Sequence, residues 1–219
     1  MASNKFRFGR GHESMDICIE VNDESVYPPS KIGRVFTEEV CKLDLQGKTF
    51  LDLGCGTGIV GIAAAMCGAI VTCTDVVEKA TRCTVDNAKL NNVNVTTAAV
   101  DGFPHSLKKK YDVIVCNSPL PDVRLLEELI ENGHEYLNSS GFILTWYCAP
   151  IDMEYYRVRA QMQWDYYEVL RTFNYNFDKI GKHEYTVDEE IEMLSRGTLV
   201  ELGARRVSTA QLIRLENIS

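Results

Sequence analysis

Three spacings of apolar residues succeed one another along the chain, and each change of spacing marks a change of element. Near the N-terminus, KFRF and residues 15–21 (MDICIEV) alternate apolar with polar positions on either side of a glycine-rich break, GRGHES, which predicts a β-hairpin. Pro28 and Pro29 bar a helix until about Ser30, after which Ile32, Val35, Phe36, Val40 and Leu43 recur at helical spacing. From Lys48 onward, short runs rich in β-branched residues (49–53, 69–75, 93–100, 111–117 and 141–149) alternate with helical patterns over 59–67, 77–91 and 123–137. Parallel neighbours need crossover connections, and strands covered on both faces lose their period-two alternation. The succession therefore predicts an α/β, doubly wound, mostly parallel sheet.

Beyond Pro150 the pattern loosens. Residues 153–173 predict one aromatic-rich helix, 175–186 a strand, 188–206 a helical insertion and 209–216 a closing strand. At 219 residues the chain is long enough for one well-buried core and short for two. The expected organisation is a single domain, 1–219, in three stretches: an N-terminal hairpin and helix (1–47), a cofactor-binding core (48–150) and a C-terminal substrate-side region (151–219).

Composition acts mainly by exclusion. No apolar run approaches the roughly twenty residues that a membrane-spanning helix needs. The basic N-terminal stretch MASNKFRFGR is followed by GHESMD in place of an apolar segment, so a cytoplasmic location is expected. The eight cysteines (Cys18, Cys41, Cys55, Cys67, Cys73, Cys83, Cys116 and Cys148) form no C-x-x-C pair, and several sit inside apolar runs, as reduced core thiols do. His12, His105, His134 and His183 lack ligand spacing, and no metal is expected. A net charge of −8 argues against nucleic acid as a partner held by the chain's own electrostatics. The Lys108–Lys110 cluster reads as a solvated turn.

Residues 51–61, LDLGCGTGIVG, admit two parses. From Gly56 the run is G-x-G-x-x-G (Gly56, Gly58, Gly61), the fingerprint of a dinucleotide site; from Asp52 it is D-x-G-x-G-x-G (Asp52, Gly54, Gly56, Gly58), the nucleotide loop of S-adenosylmethionine enzymes. Asp75 ends the second strand where either cofactor would place an acid on its ribose. The second parse is favoured because Leu53, Gly54 and Cys55 separate the strand from Gly56, and because a carboxylate at Asp52 is expected to repel phosphate and attract an ammonium. Asp101-Gly102 follows the third strand and Asn117-Ser118-Pro119-Leu120 the fourth. In a doubly wound sheet these strand ends converge on one crevice.

The segment from Val26 to Pro119, with SVYPPS, FLDLGCGTG, VTCTD, DNAKLNNV, VDGF and DVIVCNSPL in order, resembles class I S-adenosylmethionine-dependent methyltransferases. Within them it is similar to the branch holding the protein-glutamine methyltransferases and the small-domain RNA amino-group methyltransferases. The resemblance implies a seven-stranded Rossmann-like methyltransferase fold and S-adenosyl-L-methionine as cofactor. It implies that Asp52, Gly54, Gly56 and Gly58, with Cys55 and Thr57 between them, cradle the methionine portion. Asp75 with Val76 would hold the ribose, Asp101 and Gly102 the adenine, and Asn117 would face the methyl donor.

In that branch the fourth strand ends in Asn-Pro-Pro-Tyr. An amide or aryl amine nitrogen is a poor nucleophile because its lone pair is delocalised. Accepting its hydrogens on the Asn oxygen and a backbone carbonyl turns the nitrogen toward the methyl group, so catalysis is mostly positioning. Here Asn117 keeps the oxygen and Ser118 the carbonyl, ahead of Pro119, whereas Leu120 replaces the aromatic platform. Tyr27, Leu120 and Trp164 are the expected substrate-side residues. The expected acceptor is a protein, foremost a glutamine amide, or else a peptide or small molecule; RNA ranks below these without a basic partner. A silent cofactor-binding module and a nicotinamide oxidoreductase are the rival readings.

Overall fold

The computed structural model describes residues 4–10, 13–21, 23–26, 28–117, 123–148, 153–176, 199–202 and 205–217. β1 (Asn4–Arg10) and β2 (Glu13–Ile19) pair antiparallel as the expected hairpin. α1 (Lys31–Val40) starts at Ser30, whose hydroxyl accepts from the Gly33 amide as an N-cap. The alternation that follows is β3 (Thr49–Leu53), α2 (Ile59–Met66), β4 (Ile70–Asp75), α3 (Glu78–Leu90), β5 (Thr96–Ala99), β6 (Tyr111–Cys116), α4 (Val123–Asn132), β7 (Leu137–Cys148) and α5 (Met153–Gln163). β8 (Tyr166–Asn176), β9 (Leu199–Leu202) and β10 (Arg205–Glu216) complete the described chain.

The strands run in the order β5-β4-β3-β6-β7-β10-β8, with β9 added on β10. The first five are parallel neighbours, and β10 runs antiparallel between β7 and β8. The expected mostly parallel, doubly wound sheet of seven strands is present on this path. Its central strands are buried on both faces: Phe50, Val113 and Val115 pack with α1, α2 and the hairpin, while Leu51, Leu53, Ile114 and Cys116 pack with α4 and α5. That two-sided burial is why these strands read as near-continuous apolar runs.

Three expectations for the C-terminal third need correction. The helix predicted over 153–173 stops at Gln163, and β8 takes over at Tyr166. The aromatic and β-branched content of YYEVLRTF favours a half-buried pleated strand, which the helical spacing of its aromatics obscured. The helical insertion predicted over 188–206 is contradicted where it can be compared, since 199–202 and 205–206 are strand residues of β9 and β10; residues 188–198 lie outside the described residues. Of the strand predicted at 175–186, only the first two residues are described, as the end of β8. No helix among the described residues is long and apolar enough to cross a membrane.

Trp164 is the third correction of substance. Expected beside the substrate, it is only 4% exposed, packs with Ile130, Ile143 and Tyr156, and donates its indole N–H to the Ile130 carbonyl at 2.9 Å. It closes the layer under α4 and α5. Trp164→Ala is expected to lower unfolding free energy by about 3–5 kcal/mol in urea titration. Trp164→Phe, which keeps a ring but orphans the carbonyl, should cost about 1–3 kcal/mol.

Candidate cofactor and acceptor crevice

β3 has β4 on one side and β6 on the other, so the chain leaves it at the point where the sheet's winding reverses. In doubly wound sheets the ligand crevice lies at this point, at the carboxyl ends of the strands. Register brings Leu53 level with Thr74 and with Cys116, and Asp75 level with Ala99. The four predicted strand-end residues, Asp52, Asp75, Asp101 and Asn117, therefore follow from adjacent parallel strands at one end of the sheet.

The bend from β3 into α2 takes Gly54, Gly56 and Gly58 through left-handed backbone (φ 76°, 53° and 81°), a region that disfavours side chains. At Gly58 space forbids one as well, because a Cβ there would come within 2.6 Å of the Thr84 side chain. Four of the bend's amides are committed internally. Those of Gly54 and Cys55 donate to the Thr74 carbonyl, each at 2.9 Å, that of Gly56 to Asp75 Oδ2 at 2.9 Å and that of Gly58 to the Cys55 carbonyl at 2.8 Å. An N–H already well bonded is a poor donor to pyrophosphate, so these four amides lend the dinucleotide parse no support.

Asp52 does not act as expected. Strand alternation turns its side chain toward α2, where it is 1% exposed and Oδ2 accepts from the Gly61 amide at 2.8 Å. It therefore caps the third amide of α2 from beneath and supports the bend. Burial, reinforced by the negative charge of Asp75 and opposed by the Gly61 hydrogen bond, pushes its pKa up to about 7. Gly61 serves this approach, since a Cβ there would lie 2.5 Å from Cys73 Sγ and 3.0 Å from Asp52 Oδ2.

Asp75 is the acid that faces the crevice. It is half-buried, and its oxygens accept from the Gly56 and Val77 amides, each at 2.9 Å. A carboxylate has about four lone-pair sites, so both oxygens retain capacity for hydroxyl donors. Val76 beside it is 66% exposed, an apolar surface suited to a sugar or base edge. Asp101 is exposed and ion-paired with Arg124 of α4 at 2.6 Å, and the adjoining Gly102 is left-handed at φ 73°. Cys55 and Thr57 are buried, so only their backbones can line the crevice. Asn117 is half-buried at the end of β6, with Nδ2 against the first turn of α1. Tyr27, Ser118, Pro119 and Leu120 lie outside the described residues.

Sequence reading gave no role to α3, yet α3 holds the bend. Thr84 donates to the Gly56 carbonyl at 3.1 Å. Asn87, 2% exposed, donates to the carbonyls of Thr57 and Glu20, each at 3.0 Å, and accepts from the Glu20 amide at 2.8 Å. One turn on, Asn91 bonds both the N–H and the C=O of Cys18. Side-chain amides thus replace a third strand along β2 and fasten the hairpin to the bend. The available signal was polar residues at Thr84, Asn87 and Asn91, where helical spacing calls for apolar ones. Among the described residues, no group of three or more His, Cys, Asp or Glu could hold a metal ion.

Two measurements follow from this geometry. Because the folded-state pKa of Asp52 is raised, the native state binds more protons than the unfolded chain between about pH 4 and 7, and stability falls as pH rises through that window. Asp52→Asn removes the titration and keeps an acceptor for Gly61. Between pH 5 and 8 wild-type protein should lose on the order of 2 kcal/mol relative to Asp52→Asn in cofactor-free unfolding. Asn87→Ala should cost about 1–3 kcal/mol by orphaning buried backbone groups, and should weaken ligand binding at the bend in titration calorimetry.

Comparison with known proteins agrees with this geometry. The family described as "Methyltransferase small domain" matches residues 33–169. The ribosomal protein L11 methyltransferase of Helicobacter hepaticus (strain ATCC 51449 / 3B1) is 34% identical over 137 residues, 58% of this chain and 38% of that protein. The enzyme of the same name from Neisseria meningitidis serogroup A / serotype 4A is 39% identical over 92 residues, 40% and 30% of the two chains. The chain thus matches about a third of the length of these curated relatives. Among solved structures, the T. thermophilus 16S rRNA N2 G1207 methyltransferase, in complex with AdoMet and guanosine, gives a TM-score of 0.62 at 12% identity. That match covers 98% of this chain and 50% of that one. Ribosomal protein L11 methylase from Lactobacillus delbrueckii subsp. bulgaricus gives 0.58 at 17% identity, over 86% and 81%. At these identities the structures establish a shared fold, while the family match spans well over half of the sequence: the chain belongs to the methyltransferase small-domain family.

Proposed function

We propose that the chain transfers a methyl group from S-adenosyl-L-methionine to a nitrogen atom, with a protein amide, foremost glutamine, as acceptor. The observation that carries this reading is the convergence of the glycine bend, the half-buried Asp75 that accepts from it and Asn117 at adjacent strand ends. The residues present suit a sulfonium nucleoside. The bend offers a surface without side chains on the crevice side, Asp75 offers acceptors for two ribose hydroxyls, and Val76 an apolar flank.

When bound, the cofactor supplies an electrophilic methyl carbon on sulfur. The contribution of the chain is orientation. Asn117 Oδ1 and the Ser118 carbonyl would accept the acceptor's N–H hydrogens and point its lone pair along the C–S axis. The same two oxygens stabilise the positive charge that grows on nitrogen as the N–C bond forms and the C–S bond breaks. The nitrogen proton becomes acidic only after transfer and can pass to solvent, so the reading requires no dedicated base. The relatives' names point to ribosomal protein L11 and to 16S rRNA. The net charge of −8 favours protein or peptide over RNA for this chain.

Incubation with labelled methyl donor and a cell extract, separated into protein, RNA and small molecules, should place label in the protein fraction. Label confined to RNA or small molecules would replace the acceptor class, and no label in any fraction would favour the silent module. Asn117→Ala should lower kcat by roughly 100-fold or more while S-adenosylhomocysteine affinity stays within about threefold.

A further inference from the structure

The first turn of α1 reads Ser30-Lys31-Ile32-Gly33, and its glycine has no backbone explanation. Gly33 is not among the residues with positive φ, and glycine inside a helix is less stable than alanine. The reason lies in what that face of the helix meets. A Cβ added at Gly33 would lie 3.3 Å from Asn117 Nδ2, 3.5 Å from Ser30 Oγ and 3.9 Å from Ile59 Cγ2. The last two are ordinary contacts; only the first is tight. Gly33 therefore sits where α1, the start of α2 beyond the glycine bend and the end of β6 meet, and the group pressed by any side chain is the Asn117 amide.

We propose that Gly33 is a positioning residue for methyl transfer: by withholding a side chain, it lets the first turn of α1 close onto the end of β6. The Asn117 amide is then seated with Nδ2 against the helix and Oδ1 turned away from it. The inference rests on the reading of Asn117 as the residue that orients the acceptor nitrogen. The terminal torsion of an asparagine is soft, so a methyl group at position 33 is accommodated by rotating or shifting that amide by a few tenths of an ångström. A purely structural glycine would behave differently. Alanine at a helical position without a serious clash raises stability, so the proposal predicts changes of opposite sign in stability and turnover.

The test compares wild-type protein with Gly33→Ala, Gly33→Val and Asn117→Ala. Four quantities are read: the melting temperature, S-adenosylhomocysteine affinity, methyl transfer to the extract fraction that wild-type protein labels, and the Asn117 side-chain amide resonance in ¹⁵N-labelled protein, assigned by its loss in Asn117→Ala. For Gly33→Ala the expected result is an equal or higher melting temperature, affinity within about twofold, kcat lowered about tenfold and a shifted Asn117 resonance. Gly33→Val should lower kcat by about 100-fold. If it does not fold, Gly33→Ala decides alone. Wild-type kcat and an unmoved resonance in Gly33→Ala, with Asn117→Ala inactive, would overturn the role of Gly33 and leave that of Asn117 standing. Full activity in Asn117→Ala, or no transfer by wild-type protein, would overturn the underlying reading and this inference with it.

Discussion

A strand that hands over to a helix through residues 54–58, bare of side chains toward its ligand, must be held from its other side. Three polar side chains beneath the bend do this: Asp52 on the Gly61 amide, Thr84 on the Gly56 carbonyl and Asn87 on the Thr57 carbonyl. The rest of the architecture follows from that support. α3 must lie close enough to bring Thr84 and Asn87 under the bend, and the hairpin can be fastened by the same Asn87 because β2 runs along that face of α3. Remove the support, and the left-handed glycines have no reason to keep their conformation in the absence of ligand.

Two acids one strand apart divide the electrostatic work. Asp52 is buried, pushed toward neutrality by its surroundings, and acts on the helix terminus from within. Asp75 is half-exposed and offers its remaining lone pairs outward. The amides of Gly54, Cys55, Gly56 and Gly58, already bonded to carbonyls and to Asp75, are poor donors to a pyrophosphate. The two acids leave a good seat for the hydroxyls of a nucleoside.

Most of the sheet was legible because its strands are covered on both faces, which writes itself into the sequence as apolar runs between helical periods. The hairpin and the Ser30 start of α1 were equally plain, from alternation and from Pro28-Pro29. What failed, failed for definite reasons. Trp164, Tyr166 and Tyr167 fit helical and strand spacing alike, so the boundary at Gln163 was lost. The support that Asp52 gives α2 is not legible in the motif, because a motif records residue order, whereas strand alternation decides which way a side chain points. Asn87 and Gly33 escaped because their partners are far away in sequence: Glu20 and Thr57 for one, Asn117 for the other.

The central claim is that this crevice is shaped for a sulfonium nucleoside. Titration calorimetry of the cofactor-free chain with S-adenosylhomocysteine and with NAD+ tests it most directly. The account predicts one-to-one binding of S-adenosylhomocysteine that Asp75→Ala abolishes, and no heat from NAD+. Saturable binding of NAD+ with S-adenosylhomocysteine silent would contradict it.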